Sequence, residues 1–255
     1  MERDESIEKR DWFEEWFDSP LYELIYADRN QGEAERLTEF IRQVIPPSTW
    51  PRVMDLGCGR GRHSISLARH GYNVLGLDLS EASIRTARRR ADEQEVEGVQ
   101  FVVGDMRKPF SGTVDAVVNL FTSFGYFHDD QENRQVVSNI HRMLRPGGRV
   151  LIDFLNANRV RTSYVPEEEG EYEDIQYTIR RYERDQSIHK EIHFRGAEPG
   201  QTRSYKERVK LYGLPWFQEV FTSVGLRLMK TYGNYGGSAF DVEQSPRLLM
   251  LAERP

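Results

Sequence analysis

Short, nearly continuous apolar runs recur through the middle of the chain, with amphipathic stretches between them. Val53, Met54 and Leu56 form the first run, followed by Asn73 to Leu79 (NVLGLDL), Val99 to Val103 (VQFVV), Val114 to Leu120 (VDAVVNL) and Arg149 to Phe154. Runs of this length without polar alternation predict strands buried on both faces, as in a parallel sheet. Helical periodicity fills the gaps: after Gly61, after Asp78, and over about Gln131 to Leu144. Strand and helix in alternation predict an α/β domain with helices on both sides of its sheet.

The two ends and one internal stretch follow other patterns. Ile7 to Phe17 is helical, with Trp12, Phe13, Trp16 and Phe17 on one stripe. Asp18-Ser19-Pro20 breaks it, and Leu21 to Ala27 and Gly32 to Ile45 predict two further helices, the second stopped by Pro46-Pro47. From Ser163 to Leu211 the period changes to two: Ile175, Tyr177 and Ile179 alternate, then Ile188, Ile192 and Phe194, then Tyr205, Val209 and Leu211. Turns at Glu183 to Gln186 and Glu198 to Gln201 make this three antiparallel strands with one apolar and one charged face. Pro215 to Val224 predicts a helix capped by Gly225, and Leu226 to Tyr232 and Arg247 to Glu253 a closing antiparallel pair. The expected organisation is a helical arm (1–48), a core domain (49–158 and 212–255) and a β insertion (159–211) acting as a lid or a homodimer contact. Gly233 to Ser245 has no readable pattern.

The chemistry is concentrated at the end of the first strand. RVMDLGCGRGRHS carries Gly57, Gly59 and Gly61 between the strand and a helix start. Glycine permits a tight turn and close approach of a ligand to the backbone, so strand, glycine turn and helix build a nucleotide pocket. A dinucleotide fingerprint needs its third glycine, or an alanine, where Arg62 stands. Asp55 within the strand end would repel a pyrophosphate but suits the ammonium of an amino-acid cofactor. Asp78 ends the next strand 21 residues after Gly57, close to the roughly 20-residue interval at which an acid meets ribose hydroxyls. Asp105, after the third strand, can accept from an adenine amino group.

DLGCGRG, GLDLS, GDM and RPGG, in that order, resemble the motifs of the class I S-adenosylmethionine (SAM)-dependent methyltransferases. The resemblance spans about Arg52 to Phe154 closely and the last third loosely. It implies a doubly wound, mostly parallel seven-stranded Rossmann-like sheet with a reversed last strand. It further implies SAM as cofactor and S-adenosylhomocysteine (SAH) as product. Expected at the cofactor are Asp55, Gly57, Cys58, Gly59, Asp78, Leu79, Asp105, Met106 and Asn119. Small-molecule members with a helical arm place a tyrosine near the sulfonium and a basic group on the methionine carboxylate, which makes Tyr22, Tyr26 and Arg29 candidates.

The loop after the fourth strand, FTSFGYFH, lies where such a sheet opens toward its ligand. Its aromatic and hydroxyl residues suit an amine held near a sulfonium. Phe121, Phe124, Tyr126 and, beyond the fifth strand, Asn156 are the expected acceptor-binding residues. Tyr126 is the first candidate to orient the acceptor and His128 the second, since its pKa suits a base near neutrality. Enzymes acting on nucleobase amines commonly carry Asn/Asp-Pro-Pro-aromatic here, but Asn119-Leu120-Phe121-Thr122 has no proline. The net charge of −6 argues against a nucleic-acid grip. The insertion and the TSFGYF loop are loosely similar to those of sugar-amine and glycine-type N-methyltransferases, so a small molecule accepting on nitrogen rather than oxygen is expected. An NAD-dependent oxidoreductase and a non-catalytic SAM-binding protein are the alternatives.

No apolar run is long enough to span a membrane. The single cysteine, Cys58, allows no disulfide within the chain, and a cytoplasmic setting is expected. His189 and His193 in HKEIH are about 13 Å apart on a strand at 3.3 Å per residue, too far to share a metal, so no metal site is expected.

Overall fold

The computed structural model describes residues 12–26, 31–196 and 202–255. Of the arm, α1 (Trp12–Asp18), α2 (Leu21–Tyr26) and α3 (Gln31–Val44) are seen. The expected start of the first helix at Ile7 lies outside the described residues. Then follow β1 (Arg52–Leu56), α4 (Arg62–Arg69), β2 (Asn73–Asp78), α5 (Glu81–Glu93), β3 (Val99–Val103), β4 (Val114–Asn119), α6 (Asp130–Met143) and β5 (Leu144–Leu155). A seven-stranded sheet is completed by β10 (Arg227–Tyr232) and β11 (Arg247–Glu253), in the order β10-β11-β5-β4-β1-β2-β3. Only β11 is reversed: it pairs antiparallel with both β5 and β10.

The sheet is sandwiched, which is why its strands read as apolar runs. All six residues of β4 are buried. Val117 faces a cluster with Val137, Ile140 and Phe217, while Ala116 and Val118 face another with Leu37, Ile41 and Leu67. Burial of each large side chain of this kind stabilises by about 1.5–3 kcal/mol. Strand order reverses between β1 and β4, so a crevice opens at their carboxyl ends, where open α/β sheets bind ligands.

The insertion contains four strands rather than the expected three: β6 (Glu167–Tyr172), β7 (Ile175–Arg184), β8 (Ser187–Arg195) and β9 (Thr202–Lys210), in that spatial order. β6 reads EEEGEY, an edge strand without apolar alternation, and so gives no period-two signal. A short helix, α7 (Ala157–Ser163), also precedes the insertion, started by the Asn156 side chain accepting from the Asn158 amide. The last helix, α8 (Leu214–Val224), begins with proline in its first turn and ends at Gly225, as expected.

The inner face of the small sheet meets the arm. Trp16, fully buried, lies 4.5 Å from Tyr205 between ring centroids and donates from Nε1 to Glu207 Oε1 at 2.6 Å. The Ser19 hydroxyl donates to Tyr205 Oη at 3.0 Å. β9 is in turn fixed to the loop after β4: the Lys210 amide donates to Gly125 O at 2.9 Å and Arg208 Nη2 to Tyr126 O at 3.0 Å. Arm, insertion and loop therefore share one enclosure over the crevice.

Candidate active site

A cavity of about 830 Å³ fills that enclosure. Its floor is the glycine turn. Gly57, Gly59 and Gly61 have φ of 74°, 54° and 81°, in the left-handed region that favours glycine. A Cβ on Gly59 would meet nothing within 4 Å, so this backbone faces open space. Gly57 has no such room, since a Cβ there would stand 2.7 Å from Ser123 Cβ.

Asp78 ends β2 on the cavity wall. Its Oδ2 accepts from the Gly59 amide at 2.8 Å and its Oδ1 from the Ser80 amide at 2.9 Å. Burial raises its pKa, against the two amide bonds. Asp55 lies beneath the glycine turn, 2% exposed, and accepts from the Ser64 hydroxyl at 2.6 Å. Burial pushes its pKa up to about 7; the Ser64 bond opposes this and the nearby Asp78 adds to it. Burial also raises the Cys58 thiol well above its ordinary value, which disfavours the thiolate, and Cys58 lines the cavity wall.

Asp105 lines the cavity, but not as an open carboxylate. Oδ1 accepts from the Arg107 amide at 2.8 Å, and Oδ2 from Arg107 Nε and Nη2 at 2.9 and 2.8 Å. Burial alone would raise its pKa; the Arg107 bonds carry it below the ordinary carboxylate value. The clamp leaves fewer lone pairs for an adenine than the sequence suggests. Its signal was the basic residue two positions after Asp105. Leu79 and Met106 also line the cavity.

The opposite half is aromatic. Tyr126 stands 5.4 Å from Trp12 and 5.6 Å from Phe17, ring to ring, and Phe17 stands 5.3 Å from Tyr22. These residues, with Tyr26, Phe121 and Phe127, all line the cavity. Phe121 and Thr122 adopt φ of 57° and 65°, a strained conformation for side chains with a Cβ. Fully buried Asp153 holds this pair: its Oδ2 accepts from the Phe121 amide and Tyr235 Oη, both at 2.9 Å, and its Oδ1 from Arg247 Nε at 2.9 Å. Arg247 Nη2 reaches Thr122 Oγ1 at 2.8 Å. The unreadable stretch from Gly233 to Ser245 thus supplies part of the frame of the site.

Four expectations are corrected. His128 is exposed and is not among the cavity-lining residues, because the chain turns outward there into the Asp129 cap of α6. Phe124, 1% exposed, packs in the core against Phe154 and Phe217 at 6.1 and 5.5 Å. Asn156 spends its amide on Val242 O and Ser245 O, both at 2.8 Å, away from the cavity. Asn119 ties Leu56 O to Ser123 O at 2.8 and 3.0 Å and does not line the cavity. Arg29 lies outside the described residues. Among the described residues no group of His, Cys, Asp and Glu could hold a metal ion, and no helix is long and apolar enough to cross a membrane.

A βαβ glycine turn open to a cavity, with acids at successive strand ends and aromatic rings in the same lining, is the nucleotide-cofactor crevice of an open α/β fold. Residues 53–148 match the family model described as "Methyltransferase domain". The chain is similar to the dTDP-3-amino-3,4,6-trideoxy-alpha-D-glucopyranose N,N-dimethyltransferase of Streptomyces venezuelae, 25% identical over 85% of this chain and 93% of that protein. It is 31% identical to a protein of Geobacillus sp. (strain WCH70) that carries a methyltransferase name, spanning about half of each chain (55% and 55%). The fold matches the crystal structure of an S-adenosylmethionine-dependent methyltransferase from Clostridium acetobutylicum ATCC 824 with a TM-score of 0.78 and 15% identity, over 91% of this chain and 94% of that one.

The residues present fit SAM. Gly59 leaves a cradle that a Cβ would fill, Asp78 offers a carboxylate edge, and Asp55 lies where a cation would draw off its proton. A dinucleotide fits less well, since Arg62 stands at the third glycine position of its fingerprint.

Proposed function

We propose that the protein transfers the methyl group of SAM to the nitrogen of a small-molecule amine, releasing SAH. The observation that carries this reading is a cavity lined both by the glycine turn with its acids and by aromatic rings of the arm and the loop after β4. The name of the Streptomyces venezuelae relative, an N,N-dimethyltransferase of an amino sugar, supports nitrogen.

Bound SAM supplies a methyl group already activated by its sulfonium. The chain's own task is then placement, because bringing a nucleophile into line at about 3–3.5 Å accounts for much of the barrier in such a transfer. Asp78 would accept from the ribose hydroxyls, held in position by the Gly59 and Ser80 amides. Asp55 would face the ammonium, and Asp105, pinned by Arg107, would border the adenine. Tyr126 would orient the acceptor within the aromatic wall, while α1 and the insertion exclude water. The buried Asp153 network fixes Phe121 and Thr122, so the wall keeps its shape.

Paired amines and alcohols of the same carbon skeleton, incubated with methyl-labelled SAM, test the reading. Label should appear on amines, in step with SAH release. Transfer to the alcohols alone would overturn nitrogen as the acceptor, and SAM binding without any transfer would point to a non-catalytic SAM-binding protein.

A further inference from the structure

Glu207 sits in the middle of β9 and projects from the inner face of the four-stranded sheet into the cavity. It shares that face with the buried Ile179, Ile192 and Phe194 and with the charged Lys190 and Arg181. Its side chain is 15% exposed. A carboxylate kept in such a place must have its lone pairs occupied by the protein or reserved for something else.

One oxygen is occupied. Oε1 accepts from Trp16 Nε1 at 2.6 Å and from Tyr26 Oη at 2.5 Å, two donors from the arm. These fix the carboxyl group in one orientation. The other oxygen is not similarly used. Lys190, its cross-strand neighbour, forms an ion pair with Oε2 at 3.7 Å, beyond hydrogen-bond distance, while donating to Tyr26 Oη at 2.6 Å. Among the described residues no donor comes within hydrogen-bond distance of Oε2. The aromatic faces of Phe17, Tyr22, Tyr26 and Tyr126 share the same cavity, and ring faces attract cations.

We propose that Glu207 is the anchor for the acceptor: its Oε2, with the surrounding rings, forms a subsite for an ammonium group on a small acceptor. This rests on the amine reading above and adds the residue that recognises the charge. Amines arrive largely protonated near neutral pH, so recognition acts on the ammonium form, and the nitrogen gives up that proton to solvent before its lone pair attacks the methyl group. An alcohol of the same shape offers no charge and gains less from this subsite.

Cyclohexylamine and cyclohexanol, equal in shape, are suitable probes, titrated by calorimetry near pH 7 with and without saturating SAH. The wild-type protein should bind the amine at least tenfold more tightly than the alcohol. Glu207→Gln, which keeps an oxygen for Trp16 and Tyr26, should bring the two within about threefold. Glu207→Asp should retain a preference for the amine. SAH affinity should be the same in all three. Equal binding of the two probes by wild type, or an undiminished preference in Glu207→Gln, would overturn the proposal; the wild-type comparison holds even if a variant folds poorly. Failure of SAH to bind would sink the methyltransferase reading itself, whereas SAH binding without amine preference removes only the role of Glu207.

Discussion

Binding of SAM should depend on pH through Asp55. This carboxyl group is 2% exposed, and burial, opposed by the Ser64 hydroxyl and reinforced by Asp78, raises its pKa from 3.8 to about 7 in the ligand-free protein. The sign follows from the raised value. The neutral form is favoured on folding, so this group's contribution to stability is full below about pH 4 and is lost as pH rises through 7. A cofactor ammonium reverses the preference, because it pairs only with the ionised form. Binding below pH 7 must therefore expel a proton. Asp55 is half ionised at pH 7 and about one per cent ionised at pH 5, while an α-amino group, with an ordinary pKa of about 7.7–8.0, stays charged. Affinity should fall by more than tenfold over that interval, on the order of 2 kcal/mol at 1.36 kcal/mol per tenfold. Calorimetry at pH 5, 6 and 7, in pairs of buffers with different ionisation heats, reads both affinity and proton release. Asp55→Asn should bind more weakly at pH 7 and lose most of the slope. An equal slope in wild type and Asp55→Asn, or no proton released at pH 6, would refute the pairing.

Three other substitutions probe separate parts of the account. Asp78→Ala removes the proposed ribose contact, a charge-assisted bond worth about 1.5–3 kcal/mol, and releases the Gly59 amide, so SAM affinity by calorimetry should drop at least tenfold. Tyr126→Phe should reduce turnover of a cognate amine by roughly ten- to a hundredfold, the lower part of the general acid–base range, with SAM affinity unchanged; full turnover would mean that positioning by the wall suffices. Phe124→Ala opens the core between Phe154 and Phe217 and should cost about 3–5 kcal/mol in denaturant unfolding, a loss that a cavity-wall residue would not show.

The middle of the sheet was legible because β1, β4, the second half of β5 and β11 are buried on both faces, so each appears as a nearly continuous apolar run. Asp55, Asp78 and Asp105 could be located because a strand end in an open α/β fold is already a place at the crevice. β6 was not legible, since an edge strand needs no apolar face and EEEGEY has none. The loop after β4 shows a finer limit. Phe121 and Phe124 are alike in sequence, yet the positive φ at Phe121 and Thr122 turns one toward the cavity and leaves the other in the core. Glu207 and the Asp153 network escaped for another reason. Trp16 and Glu207 are 191 positions apart, and Tyr235 and Asp153 are 82 apart. No local pattern encodes such pairs; only the packing of arm, insertion and sheet brings them together.

The most direct test of methyl transfer to nitrogen uses SAM labelled with ¹³C at its methyl group, incubated with the protein and a small-molecule extract. Correlation spectra and mass spectra of the product then show which atom the label is bonded to. The account predicts a low-molecular-weight product with the labelled methyl on nitrogen, formed in step with SAH. Label on oxygen or on a macromolecule, or no transfer by protein that binds SAM, would contradict it.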